Sequence, residues 1–169
     1  MKKVGLILLI IIGLGVSTQA QTSNAKMHSV FVYNFTKLVS WPSAYQSGNF
    51  VIGVLGHSPI VTELENMAAT KKAGSQTIVI EKYASVDAIK KCHILIIPQS
   101  QSSKIATAIG KIGGNNTLVV SDTEGGTKKG ASINFVVVDS KQKFELSETN
   151  AKNKGLKVGA ELLKLAIIK

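Results

Sequence analysis

Apolar positions along this chain follow two periodicities, and their alternation predicts a fold class. Met27, Val30, Phe31, Phe35, Leu38 and Val39 recur at helical spacing, and Trp41-Pro42 ends that helix. Phe50 to Leu55 is a continuous apolar run closed by Gly56, the pattern of a buried strand. Ser58-Pro59 then opens a helix carrying Ile60, Leu64, Met67 and Ala68, which breaks near Gly74. Thr77 to Ile80 predicts a second strand, and Ser85 caps a short helix holding Val86 and Ile89. His93 to Ile97 predicts a third strand, stopped by Pro98. Ser102 or Ser103 caps the next helix, whose face is Ile105, Ala108, Ile109 and Ile112, and Gly113-Gly114 terminates it. Thr117 to Val120 predicts a fourth strand.

After a Gly-rich turn, Ser132 to Val138 and Lys143 to Leu146 flank Asp139-Ser140-Lys141-Gln142, the pattern of an antiparallel hairpin. One last, mostly buried helix is expected from about Glu148 to Ile168. Strands alternating with helices predict an α/β fold: a three-layer α/β/α sandwich around a mostly parallel sheet of about six strands, with a C-terminal antiparallel hairpin and terminal helices.

The start of the chain has a different character. Met1-Lys2-Lys3 is short and positive, Val4 to Val16 is apolar, and Thr18-Gln19-Ala20 offers small residues where a signal peptidase reads them. The apolar run is shorter than the roughly 20 residues a membrane-spanning helix needs. Residues 1–20 therefore predict a cleaved leader, with the exported, periplasmic chain beginning at Gln21. Residues 21–169 fit one domain with a sizeable core.

Export changes how the charge is read. The formal net charge is +10, and all 20 basic residues are lysines. Arginine is the usual tool for bidentate phosphate and base recognition, so its absence argues against nucleic acid as a partner. Cys92 is the only cysteine, which excludes an internal disulfide, and its place before His93-Ile94-Leu95-Ile96-Ile97 predicts a buried thiol.

In a parallel sheet, the loops after the strands' carboxyl ends share a rim where ligands bind. Here that rim carries His57, Ser58, Ser100, Ser121 and Asp122, which makes a small polar-ligand crevice the alternative reading of the function. Polar loops and capping serines alone also give this composition. A hydrolase built on Ser121 or Ser58 with His57 and Asp122 lacks a G-x-S-x-G elbow. His28, His57 and His93 fall in three different elements with no spaced ligand pair, so no metal is expected. Gly53-x-x-Gly56 lacks the turn and acidic reader of a dinucleotide site, so no cofactor is expected either. Tyr33 and Lys37 are four residues apart and share a helical face, and Trp41 sits at its edge. An aromatic beside a cation is the composition of a partner-binding surface, with Trp41 as a buried anchor, and an aromatic core with a solvated Lys37 gives the same composition.

The run Tyr33-Asn34-Phe35-Thr36-Lys37 followed by Trp41-Pro42 resembles the opening motif of the YfiR family of periplasmic regulators. The likeness continues through Phe50 to Gly56, Cys92 to Ile96, Ile133-Asn134-Phe135, Lys143 to Leu146 and the end from Gly155 to Ala166. The resemblance implies an α/β protein without catalytic activity. It implies binding to the periplasmic sensor region of an inner-membrane signalling protein, a diguanylate cyclase, which is held inactive, often by a homodimer. Two departures stand out. Relatives carry cysteine pairs where this chain has Cys92 alone, and Ser147, Lys152 and Asn153 occupy places where the family tends to show asparagine and arginines.

Overall fold

The computed structural model describes residues 24–169, so the expected leader and its cleavage before Gln21 lie outside the described residues. Helix α1 spans residues 24–38. Its inward stripe is Ala25, His28, Val32 and Phe35, spaced three and four apart, and it runs on into buried Val39. Met27 and Val30, expected on that stripe, are instead 45% and 49% exposed. They are rotated away from the sheet, while Phe31 and Leu38 sit half-buried at its flanks.

The remaining strands and α-helices are β1 (Val39–Ser40), β2 (Phe50–Leu55), α2 (Ile60–Ala68), β3 (Lys72–Ala73), β4 (Gln76–Tyr83), β5 (Ile94–Ile97), α3 (Ile105–Ile112), β6 (Leu118–Ser121), β7 (Ile133–Val138), β8 (Lys141–Leu146), α4 (Glu148–Asn153), β9 (Lys157–Val158), α5 (Ala160–Leu165) and β10 (Ile167–Ile168), with 3-10 turns at Ser43–Tyr45 and Gln99–Lys104. Eight strands form one sheet in the order β10-β8-β7-β6-β5-β2-β4-β3, and β1 pairs with β9 apart from it. Strands β7, β6, β5, β2 and β4 run parallel to their neighbours in that series. β3 and β8 run antiparallel to β4 and β7, and β10 lies parallel to β8. This mixed, eight-stranded sheet replaces the mostly parallel one of about six strands. The added edge strands β3 and β10 have two residues each, too few to leave a period in the sequence.

Register fixes two cores, because side chains along a strand alternate between faces. Ile52, Val54, Ile94, Ile96, Leu118 and Val120 belong to a cluster completed by α1, Leu64 of α2, Ala151 of α4 and Leu162 of α5. Leu55, Leu95, Ile97 and Val119 belong to a second, completed by Ile105, Ala108 and Ile112 of α3. The loop between β7 and β8 is Asp139-Ser140, both at positive φ (51° and 58°), the geometry of a tight hairpin turn.

Two further expectations change. Residues 85–89 form hydrogen-bonded turns, with Ala88 N–H on the Ser85 carbonyl, rather than a short helix. The expected last helix is broken into α4 and α5 around β9. Gly155 takes a left-handed φ of 66°, and Gly159 fits against the Leu38 carbonyl, which would obstruct a Cβ. Leu165, expected on the apolar face of that helix, is exposed.

His93 ties the segment after α1 to this sheet. Its Nδ1 accepts from the Val51 N–H at 3.1 Å, and its Nε2 bonds the Tyr45 carbonyl at 2.7 Å. Only the neutral ring protonated at Nε2 satisfies both partners. The ring stacks on Phe50 with centroids 4.2 Å apart. Trp41 indole N–H donates to the His93 carbonyl at 3.2 Å. Trp41, expected as a buried anchor at the edge of α1, is a core residue packed edge-on to Phe50 within this chain.

Burial holds the His93 pKa below the ordinary 6.5, against the hydrogen bond to Tyr45 and helped by the Lys91 charge. The unfolded chain then takes up this proton first as pH falls through about 6.5. Stability contributed by His93 is present above that pH and lost below it. The His93 imidazole resonances are expected to show an Nε2–H tautomer and a midpoint below 6.5, with the melting temperature declining from pH 7 to pH 5.5. A midpoint at or above 6.5 would contradict the buried, neutral ring.

Candidate functional site

The loops at the carboxyl ends of β2, β5 and β6 open onto one cleft of about 1120 Å³. His57, Ser58, Ser100 and Asp122, chosen from the sequence as rim residues, all line it. Ser121 does not. It is fully buried beneath the rim, where its Oγ donates to Asn134 Oδ1 at 2.7 Å. The same Oδ1 accepts from the Thr123 N–H at 3.1 Å, and Asn134 Nδ2 donates to Glu145 Oε2 at 3.2 Å. Glu145 also pairs with Lys169 at 3.1 Å. This network fixes the β6–β7 junction as the floor of the cleft and commits the Ser121 hydroxyl, so a hydrolase nucleophile at Ser121 is not what the geometry builds.

One wall was not read from the sequence. His28 on α1 lies 93% buried, stacked on Phe135 at a centroid separation of 3.8 Å, with Nε2 bonded to Gln142 Oε1 at 2.9 Å. His28, Phe135, Val137, Gln142 and Glu145 all line the cleft. The signals were present: His28 falls on the stripe of Ala25, Val32 and Phe35, and alternation puts Phe135 and Val137 on one face of β7. What the sequence lacked was the docking of α1 across the β7–β8 hairpin.

Burial lowers the His28 pKa, partly offset by the Gln142 hydrogen bond and the Asp122 charge. Burial raises the Asp122 carboxyl, opposed by its attraction to His28. Each ring or carboxylate thus pays for desolvation and is partly compensated by the other.

Tyr33 and Lys37 share a separate, outward face of α1. Lys37 Nζ stands 4.1 Å from the Tyr33 ring centroid and Lys71 Nζ 6.0 Å, so a half-buried aromatic carries two cations. Cys92 is buried, and burial pushes its thiol up to about 12, leaving it protonated and unreactive at neutral pH. Among the described residues, no group of three or more His, Cys, Asp or Glu side chains is placed to hold a metal ion. No helix of the described residues is long and apolar enough to cross a membrane.

Gly126 holds the cleft floor together. A Cβ there would collide with Ser121 Oγ and Asn134 Oδ1. Gly126→Ala is expected to cost about 1–3 kcal/mol of stability by overpacking. Gly110→Ala meets no atoms within 4 Å in the middle of α3 and is expected to stabilise by about 0.5–1 kcal/mol. Urea denaturation of both variants checks the pair, and equal midpoints would contradict the tight packing at Gly126.

Comparison with known proteins agrees with the motif reading. No curated protein matches the chain. The model of one family, described as YfiR/HmsC-like, matches residues 25–167, from the first turn of α1 to β10. The match spans α1, the sheet and the cleft alike, and the chain belongs to the YfiR/HmsC-like family.

Proposed function

We propose that this chain is a non-enzymatic periplasmic regulator that binds the sensor region of an inner-membrane diguanylate cyclase and holds the cyclase inactive. The family match over residues 25–167 carries this reading. The leader pattern of residues 1–20 supports the compartment, since an exported protein meets the outer domain of a membrane protein without crossing a bilayer. The face of α1 around Tyr33 and Lys37 is the surface proposed to meet the partner. A half-buried aromatic with its cation already stacked loses little side-chain entropy on docking, which favours such pairs at interfaces.

Trp41 has no part in that surface, since it is spent on the His93 carbonyl and Phe50. The test is a crosslinking pull-down from envelope extracts, followed by titration against the recovered sensor region. Tyr33→Ala with Lys37→Ala is expected to weaken that affinity by about tenfold or more, a typical hot-spot loss, while circular dichroism reports a folded protein. Unchanged affinity in a folded double variant would remove this face from the interface.

A further inference from the structure

Cations and apolar side chains share one outward row of α1. Lys26, Val30, Tyr33 and Lys37 follow one another at intervals of four, three and four residues, which aligns them on the helix surface. Lys26, Val30 and Lys37 are exposed and Tyr33 is half-buried, with exposed Met27 beside Val30. From Lys26 to Lys37 the row runs about 16 Å, at roughly 1.5 Å of rise per residue. An apolar centre thus carries a cation at each end.

The Lys37 end is reinforced from a second element. Lys71 follows α2, fixed there by its N–H on the Met67 carbonyl, and brings its ammonium to the same Tyr33 ring that Lys37 covers. Two like charges gathered at one ring repel each other, and a carboxylate between them relieves that repulsion. This chain supplies none. All ten acidic residues lie among the described residues, where the ion pairs are Glu65 with Lys82 and Glu145 with Lys169. Lys26, Lys37 and Lys71 therefore have no carboxylate of their own chain within ion-pair distance.

We propose that this row docks an acidic, amphipathic segment of the membrane partner, with apolar residues seated on Val30, Tyr33 and Met27 and carboxylates meeting Lys26 at one end and Lys37 with Lys71 at the other. That the partner is a cyclase sensor region rests on the preceding reading, while the chemistry of the docked segment rests on the row itself. About five extended residues span it, at roughly 3.3 Å each. A second copy of this chain does not suit the row, because a twofold contact would bring the same lysines together. A bilayer surface does not suit it either. The broad apolar face of α1 is committed to the core, and the strip left outside is too narrow to enter a lipid interface.

Fluorescence anisotropy on the exported chain decides it, with the labelled peptide Glu-Glu-Leu-Trp-Leu-Glu-Glu as the probe and its counterpart with lysine for glutamate as the control. The acidic peptide is expected to bind saturably at one site and more weakly as salt is raised, and the basic peptide not to bind. Lys37→Glu with Lys71→Glu is expected to weaken that binding by about tenfold or more. Lys104→Glu with Lys111→Glu changes the net charge equally beside α3, against the other core, and is expected to keep the parental affinity. Val30→Glu, on an exposed side chain, is expected to weaken binding too and decides the matter if the lysine pair fails to fold. The same variants are then titrated against the sensor region. Peptide binding as described, with a parent chain that ignores the sensor region, would sink the cyclase reading and leave this surface standing. Absence of saturable peptide binding, or equal losses in the two lysine pairs, would overturn the proposal. So would a dimer in solution that Lys37→Glu with Lys71→Glu dissociates, or capture by phosphatidylglycerol vesicles in place of the peptide.

Discussion

The structure depends on how α1 is seated across the β7–β8 hairpin. Phe35 meets Phe144 edge-on at 5.3 Å and lies 6.3 Å from Phe135, and Phe31 meets Phe144 at 5.4 Å. Such pairs contribute about 0.5–1.5 kcal/mol each beyond the area they bury. Their larger consequence is geometric. One helix, fixed in rotation by four phenylalanines, must present opposite faces to different environments. His28 turns into the cleft, Phe35 enters the core, and Tyr33 with Lys37 turns outward.

Past the end of α1, His93 performs the same service for the chain that leads into the sheet. Trp41, Tyr45 and Phe50 surround it, and its two ring nitrogens bond backbone groups from different segments. An aromatic motif read as a surface feature is thus divided in two. Tyr33 and Lys37 remain at the surface, while Trp41 is drawn inside by a hydrogen bond and an edge-on ring. Burial of an indole whose N–H has found a partner is the favourable outcome.

Much of this was legible in the sequence where local rules decide it. The apolar runs Phe50 to Leu55 and His93 to Ile97 became β2 and β5, and the rim residues His57, Ser58, Ser100 and Asp122 came together because parallel strands bring their following loops to one end. The failures have a common origin in non-local packing. Ser121 reads as a rim hydroxyl until Asn134, thirteen residues on, accepts its hydrogen bond. Residues 148–168 read as one helix because Leu156, Leu162 and Leu165 fit its period, yet glycines at 155 and 159 and the pairing of Val158 with Val39 break it. His28 was weighed only as a metal ligand, because its place in the cleft wall depends on Gln142 and Phe135, more than a hundred residues away.

The central claim is repression of a cyclase from the periplasmic side, and cellular cyclic di-GMP tests it most directly. Mass spectrometry would compare cells carrying the gene, cells lacking it, and deleted cells complemented by the parent or by Tyr33→Ala with Lys37→Ala. The account predicts that cyclic di-GMP rises on deletion, returns with the parent chain and stays raised with the double variant. A level unchanged by deletion would contradict it.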